Sequence, residues 1–319
     1  MTNRATNSDK DDTVPAVEQR RLLLGFLGET EAIERLQSSR TVATPGDALD
    51  GTENGEPTPD PETTYAELWE SANDSITPTR AFDGGSVELV DLPDEEAIAE
   101  HVDAFVNDPH FQASRGGQPE DSWEIKLVPI ESLVAFQPAV TRTAYETDLA
   151  SSESVLDLLE FTLPVDDTPL VEDQRINDTF FSGWQFVTRS PNVHVNGPQY
   201  ARSDNNDDTT IATVSFELKS NPNFVYVARF EDRYILKNGY HRVYQLLKAG
   251  ETHVPAVVIE AESYDETGAE QAGFFDRELV MGERPPLITD YETPAAVTIS
   301  RRTTNRIVRV IAETTDVFR

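Results

Sequence analysis

The chain of 319 residues contains no cysteine. Disulfides, thiol nucleophiles, iron–sulfur clusters and zinc sites built on thiolates are therefore excluded. Apolar runs are short as well, and none approaches the roughly 18 residues that a membrane-spanning helix requires. The sequence also lacks a Walker A motif, a Gly-x-Gly-x-x-Gly loop, a His-Glu-x-x-His pair and a Gly-x-Ser-x-Gly elbow. Local charge and turn chemistry are what remains to indicate a function.

Positive charge is scarce, and lysine is the scarcer of the two cations. The chain has 26 Lys and Arg residues against 58 Asp and Glu residues, a formal net charge of −32. Only five of the 26 are lysines, which leaves 26 − 5 = 21 arginines. Dispersed acidity with few lysines resembles acidic proteins of haloarchaeal type, in which strong salt screening removes the self-repulsion; an ordinary acidic protein is the alternative. The charge argues against a surface that grips nucleic acid by neutralising phosphates, although local charge is more informative than net charge in a halophilic protein.

Composition divides the chain into five segments. We predict an N-terminal tail with an amphipathic helix over residues 1–40, a disordered acidic linker over 41–62, a small helical segment over 63–122, a strand-rich core over 123–260, and a C-terminal helix with strands that complete the domain over 261–319. The linker is rich in Gly, Pro, Thr and acids and almost free of large apolar residues. Helical and strand-like patterns both occur, so the predicted fold class is α+β.

The N-terminal helix is predicted over about Val14 to Leu36, with Leu23, Leu27 and Ile33 on its buried side. The predicted linker separates this stripe from the core. We therefore expect the helix to be a satellite that binds a protein partner rather than the core.

A twin-arginine pair, Arg20-Arg21, precedes a short apolar run in the same region. Such a pair has to be compared with an export signal. The apolar run stops at Glu29, which is too early for the hydrophobic region of a signal. We expect a cytoplasmic protein without membrane contact.

Secondary structure beyond the linker follows from periodicity and turn residues. Helices are predicted over Thr63–Ser71, Asp94–Val106, Ser154–Glu160, Tyr240–Ala249 and Gln271–Met281. Strands are predicted at 125–130, 185–188, 192–195, 211–218, 224–230, 234–236, 254–259, 297–300 and 306–311.

The most informative segment is 223–260, which reads as two strands, a helix and a strand. Lys237-Asn238-Gly239 forms a tight turn, for which Asn and Gly tolerate left-handed backbone conformations. The helix that follows has an apolar face for burial and a second, polar face that carries His241, Gln245 and Lys248.

The start of this helix is a candidate anion pocket. Lys237, His241 and Arg242 lie around a helix N-terminus, where free N–H groups favour a phosphate or carboxylate. Residues 224–260 hold five Lys or Arg against four acids, a balance that is exceptional in a chain at −32. The structural alternatives stay open: Arg242 as a surface arginine paired with a carboxylate, His241 as a half-exposed helix residue, and Lys237 as a hairpin-end charge.

Residues 238–242 (Asn-Gly-Tyr-His-Arg), with the strand before them and Gly250 and residues 254–258 after them, resemble the Gly-x-x-Arg region of the ParB/sulfiredoxin-like superfamily. A weaker likeness to the N-terminal box of that family lies at 127–133, followed by Gln137-Pro138 and Arg142. The order of the boxes fits the family. Their separation of about 100 residues implies an insertion.

The resemblance implies a ParB/sulfiredoxin-like mixed sheet with packed helices, in which the motif turn and helix start bind nucleotide phosphates. The implied ligand-binding residues are Lys237, Asn238, Gly239, His241 and Arg242, joined by Gln137 and Arg142 from the upstream box. The candidate cofactor is a nucleotide with Mg, and nucleotide hydrolysis or phosphotransfer is the implied chemistry. No residues present a metal-ligand spacing of their own.

Several residues depart from the family pattern. Sulfiredoxins use a catalytic cysteine, which this chain lacks. Tyr240 and His241 stand where partition proteins usually have Glu or a second Arg, and 261–319 shows one helix and then strands in place of a helix-turn-helix. Sequence-specific DNA binding is therefore not expected. Two functions remain: a nucleotide- or phosphate-binding protein, or a non-catalytic interaction protein that keeps the fold and tethers a partner through its N-terminal helix.

Overall fold

The computed structural model describes residues 17–39, 41–42, 64–76, 87–114, 122–142, 154–165, 172–177, 181–188, 193–204, 210–220, 224–302 and 306–313. Its helices are α1 (Glu29–Gln37), α2 (Tyr65–Asp74), α3 (Glu96–Val106), α4 (Pro109–Ser114), α5 (Val155–Thr162), α6 (Tyr240–Ala249) and α7 (Arg277–Val280). Its strands are β1 (Val17–Leu22), β2 (Thr41–Val42), β3 (Trp123–Pro129), β4 (Leu133–Val134), β5 (Ala139–Thr141), β6 (Glu172–Asn177), β7 (Phe181–Thr188), β8 (Val193–Asp204), β9 (Thr210–Ser220), β10 (Tyr226–Phe230), β11 (Arg233–Asn238), β12 (His253–Glu260), β13 (Val297–Arg302) and β14 (Arg306–Glu313). The α+β class is confirmed.

A five-stranded mixed sheet lies at the centre, in the order β3-β12-β10-β11-β4. β10 runs parallel to β12 and antiparallel to β11, and β11 is parallel to β4. The predicted unit of two strands, a helix and a strand is confirmed as β10-β11-α6-β12. Glycine bounds α6 at both ends, since Gly239 and Gly250 adopt left-handed conformations with φ of 91° and 87°.

The extended residues from Phe224 through β10 contribute alternately to two parts of the core, because successive side chains of an extended chain point to opposite faces. Val225 and Val227 belong to one cluster, which also contains Val243 and Leu246 of α6. Phe224, Tyr226 and Ala228 belong to a second cluster, which contains buried side chains of α3 and α5. The sheet therefore lies between α6 on one face and α3 with α5 on the other.

A second sheet corrects the prediction for the N-terminus. It has the order β2-β13-β1-β5, so β1 is an interior strand with partners on both sides. The helix predicted over 14–36 is wrong in its first half, since residues 17–22 are strand and α1 begins only at Glu29. The physical reason is tertiary: β13 and β5 supply ladder partners that outweigh a local helical spacing.

The segment between β1 and α1 is also part of the main core. Leu23 and Leu27 are buried as predicted, but Ile33 is only half-buried. Helix α2 packs directly on this segment: the Trp69 Nε1 donates to the Leu27 carbonyl at 2.9 Å, and the Asn73 Nδ2 donates to the Gly25 carbonyl at 2.8 Å. The N-terminal element is therefore not a satellite.

Two other predictions change, and one lies partly outside the described residues. Thr41 and Val42, the first two residues of the predicted linker, pair with β13 as a strand; residues 43–62 of that prediction lie outside the described part. The predicted helix over Gln271–Met281 shrinks to α7, since Gly273 has a left-handed φ of 88° and Asp276 caps the short helix. The remaining predicted helices and strands occur within a few residues of their expected bounds, except that the strand predicted at 192–195 extends to Asp204 as β8.

Within the described ranges, every helix is too short or too polar to cross a lipid bilayer.

Replacing Leu23 by alanine tests the position of the N-terminal segment. The Leu23 side chain is fully buried in the main cluster, so Leu23→Ala should lower the free energy of unfolding by about 2–5 kcal/mol. The half-buried Ile33 offers a control, and Ile33→Ala should cost less than about 2 kcal/mol. Denaturant titration in molar salt measures both; an unchanged midpoint for Leu23→Ala would mean that the segment does not dock.

Candidate functional site

The two sequence boxes meet along one side of α6. The His241 Nε2 lies 3.0 Å from the Thr141 Oγ1, across 100 residues of sequence. One turn further along the helix, the Gln245 Nε2 donates to the Arg142 carbonyl at 2.6 Å, and the Lys248 Nζ lies 3.4 Å from the same oxygen. The polar face predicted for this helix therefore packs against the end of β5.

The Thr141 hydroxyl joins three elements. It donates to the carboxylate of Glu18 on β1, which also accepts from the Arg20 guanidinium at 3.1 and 3.2 Å. A hydroxyl has one proton, so the contact with His241 requires the imidazole to donate from Nε2. We call Glu18, Thr141 and His241 the Thr141 clasp, because their hydrogen bonds tie β1, β5 and α6 together.

Charge states in the Thr141 clasp follow from its surroundings. Burial, aided by the nearby Arg20 cation, lowers the pKa of His241 to about 4, so the imidazole is neutral at pH 7. Burial acts to raise the pKa of Glu18, but hydrogen bonds from Thr141 and Arg20 hold it below its ordinary value. The clasp thus combines a neutral imidazole with an ionised carboxylate.

A second polar group lies on the other side of β1. The Arg21 guanidinium is buried and donates to the carbonyls of Tyr291 and Thr293 at 2.7 and 3.2 Å. Burial lowers the pKa of Arg21, while the neighbouring Tyr244 and Glu292, which share a hydrogen bond, act to raise it. These carbonyl contacts hold a cation inside the fold.

Arg142 lies beside this group and is half-buried. Its backbone N–H donates to the Gln19 carbonyl at 2.8 Å. Among the described residues, its guanidinium has one side-chain hydrogen bond, to the Gln19 Oε1 at 3.4 Å, and no carboxylate within ion-pair distance. Among the described residues, the contacts named above involve four cations (Arg20, Arg21, Arg142 and Lys248) and two carboxylates (Glu18 and Glu292).

Lys237 points to a different partner. Its Nζ donates to the Glu266 carbonyl at 2.6 Å and lies 5.2 Å from the centre of the Tyr226 ring. Burial lowers the pKa of this lysine. The adjacent Asn238 is the last residue of β11 and pairs with Tyr226. Lys237 and His241 therefore contact different parts of the chain, the Glu266 carbonyl and the Thr141 hydroxyl. From the sequence, both residues are predicted to line one anion pocket.

Gly239 and Arg242 both face protein. A Cβ at Gly239 would lie 2.8 Å from the Val225 Cα and 2.9 Å from its Cγ2, so the close approach permitted by this glycine is to the residue just before β10. The alternative of Arg242 as a surface arginine is wrong. Its side chain is buried, and the guanidinium lies 5.7 Å from the centre of the Phe161 ring.

Gln137, the last of the predicted site residues, lies between Phe136 and β5. Its carbonyl accepts from the buried Tyr291 hydroxyl at 2.5 Å, and its side chain is half-buried. Residues that the sequence did not indicate are Glu18, Arg20, Thr141, Tyr244 and Glu292. The pair Arg20-Arg21 was evident in the sequence, but 14–36 was interpreted as a helix. In a strand, these two consecutive side chains point to opposite faces and therefore belong to two different polar groups.

Comparison of the chain with protein-family models, curated proteins and solved structures gave no match. The ParB/sulfiredoxin-like resemblance therefore stays a prediction. In the described part of the chain, His, Asp and Glu side chains do not gather into groups of three that would hold a metal ion.

Adding a methyl group at Gly239 tests what this glycine faces. Gly239→Ala should lower the free energy of unfolding by about 2–4 kcal/mol, because a positive φ and a backbone clash with Val225 combine. Gly250→Ala is the matched control: φ is 87° there, but nothing lies within 4 Å, so about 1–2 kcal/mol is expected from the backbone alone. Equal losses at the two positions would contradict the contact with Val225.

Acid titration tests the neutral imidazole. The pKa of His241 is lower in the folded chain, so between pH 6.5 and 4 the unfolded chain binds the proton and the folded chain does not. The free energy of unfolding should therefore decrease by about 3 kcal/mol in total as the pH is lowered from 6.5 to 4. His241→Gln keeps a donor to Thr141 and should remove this part of the slope, as measured by denaturant titration at each pH. A wild-type slope in the His241→Gln variant would contradict its assignment to this imidazole.

Proposed function

We propose that the chain binds a nucleotide or another phosphate-bearing ligand beside α6, with Arg142 as its main cation. The observation that carries the proposal is the meeting of the two sequence boxes: the end of β5 lies against the polar face of α6. The resemblance implies a phosphate site made from these two boxes, and their contact across 100 residues supports that site.

The composition of this surface suits an anion. An arginine can hold a phosphate through two parallel hydrogen bonds, whereas a neutral imidazole adds hydrogen bonding without charge. Arg142 has only an amide oxygen as its side-chain partner among the described residues, and the exposed Lys248 ammonium reaches the Arg142 carbonyl.

The roles of the other predicted residues change in this proposal. Gly239 and Arg242 shape and bury the start of α6, and Lys237 fastens the turn at Asp265–Thr267. Arg142 and His241 remain, with Lys248 added. We propose binding rather than catalysis, because the Glu18 carboxylate in the described part of this surface already accepts hydrogen bonds from Thr141 and Arg20.

A second candidate is a non-catalytic interaction protein. The observation that favours it is the pair of long strands β8 and β9, at whose centre the side chains of Tyr200, Val214 and Phe216 are exposed to solvent. The N-terminal segment no longer supports this candidate, because it belongs to the core.

Replacing Arg142 by alanine tests the proposed site. Arg142→Ala should weaken binding of a nucleoside triphosphate by about 1.5–3 kcal/mol, or roughly 10- to 150-fold, because a charge-assisted hydrogen bond is lost. Calorimetric titration at the lowest salt that keeps the chain folded measures it, since salt screens the interaction. Arg142→Lys should recover only part of the affinity, because an ammonium cannot bind a phosphate in the bidentate manner.

Arg229 provides a charge-matched control on β10, where it pairs with Glu260 at 2.9 Å. Arg229→Ala should leave nucleotide affinity unchanged. Absence of nucleotide binding by the wild-type chain, or equal losses for the two alanine variants, would contradict the site and leave the interaction protein as the better candidate.

A further inference from the structure

β8 and β9 form a two-stranded antiparallel ribbon that is separate from the other sheets in the described chain. Its strands have 12 and 11 residues, a length of about 35 Å at the usual rise per residue. The register runs from Val193 opposite Ser220 to Asp204 opposite Thr210. A ribbon of two strands is marginally stable in water unless a further strand or a packing surface supports it.

The centre of the ribbon is exposed on both faces. Tyr200 and Val214 are directly opposite each other and are 67% and 56% exposed. Phe216, two residues along β9 and therefore on the same face as Val214, is 42% exposed. The neighbouring Thr213 and Ser215, on the opposite face, are exposed as well. Three large apolar side chains thus form a row in solvent.

The two edges of the ribbon differ. β8 contains Gly197 and Pro198 at the point where the register shifts, and proline removes a ladder donor from an edge. β9 has neither proline nor glycine between its ends. Neither strand pairs with any other strand in the described residues, so β9 is the regular edge that is open to another strand.

Charge favours a partner of the same kind. The two strands contain Arg202 and Lys219 against Asp204 and Glu217, a net charge of zero in a chain at −32. A neutral ribbon can meet its own copy without the repulsion that other acidic surfaces of the chain would produce. A twofold pairing of β9 centred on Ser215 places Val214 opposite Phe216 of the second copy, an aromatic and β-branched pair of the favourable kind. It places no two like charges opposite each other.

We propose that two copies of this chain join edge to edge through β9, forming a four-stranded antiparallel sheet in the order β8-β9-β9-β8. The contact is isologous, since the same edge serves both copies. The apolar side chains of both copies then lie on one face, where Tyr200 and Val214 of one copy are in line with Phe216 of the other. This interaction surface is independent of the phosphate site beside α6.

Association of the full-length chain in molar salt tests the proposal. Sedimentation velocity over a range of micromolar concentrations should show a monomer–dimer equilibrium. Val214→Lys should weaken the dimer about tenfold or more, because it places an ammonium against the apolar row. Ala201→Lys, an exposed position on β8 and on the face opposite Tyr200, should leave the equilibrium within about twofold of wild type.

Cysteine crosslinking gives the register, and the natural chain has no cysteine to interfere. Ser215→Cys lies at the proposed twofold axis, where facing Cβ atoms are close enough for a disulfide, and mild oxidation should convert it to a covalent dimer. Gln199→Cys, directly opposite Ser215 on β8, should remain monomeric under the same oxidation. A monomer at every concentration, a dimer insensitive to Val214→Lys, or equal crosslinking of the two cysteine variants would overturn the proposal.

Discussion

The hydroxyl of Thr141 is the contact on which the arrangement of the molecule most depends. It binds Glu18 across 123 residues of sequence and His241 across 100 residues, so one side chain holds the N-terminal strand, the end of β5 and the start of α6 in place. Glu18 and His241 are both hydrogen-bond partners of Thr141, which avoids the free-energy cost of burying polar atoms without partners. The surface that we propose for phosphate binding exists because this clasp brings Arg142 alongside α6.

Local signals were sufficient for the unit formed by β10, β11, α6 and β12. Two glycines with left-handed backbones mark the ends of α6, and its apolar spacing identifies the face that packs on the sheet. The polar face was also predictable as a stripe. Its partners were not, because Thr141 and Glu18 come from elements whose position depends on long-range pairing. Lys237 and Arg242 were assigned to one pocket from their closeness in sequence, yet one reaches the Glu266 carbonyl and the other the Phe161 ring.

The N-terminus shows the same limit more clearly. Residues 17–22 become a strand because β13 and β5 flank them, and no pattern within the segment indicates those partners.

The arginines illustrate a related point about composition. Arg21 and Arg233 are buried against backbone carbonyls, and Arg284 pairs with the buried Asp290. Some of the cations that are scarce in the chain are therefore used inside the fold.

The pairing of β1 with β13 has a consequence for the order of events during synthesis. Val17 lies opposite Arg302 and Leu22 opposite Val297, so one whole side of β1 has no ladder partner until residue 302 has left the ribosome. Contacts this distant in sequence close slowly, because the entropy of a long loop must be lost first. Within the unit from β10 to β12, the connections between consecutive elements are short, and its last residue is synthesised some 40 residues earlier. Although β1 comes first in the chain among the described strands, it is therefore one of the last of them to be fixed, because it stays unpaired along that side until β13 has been made.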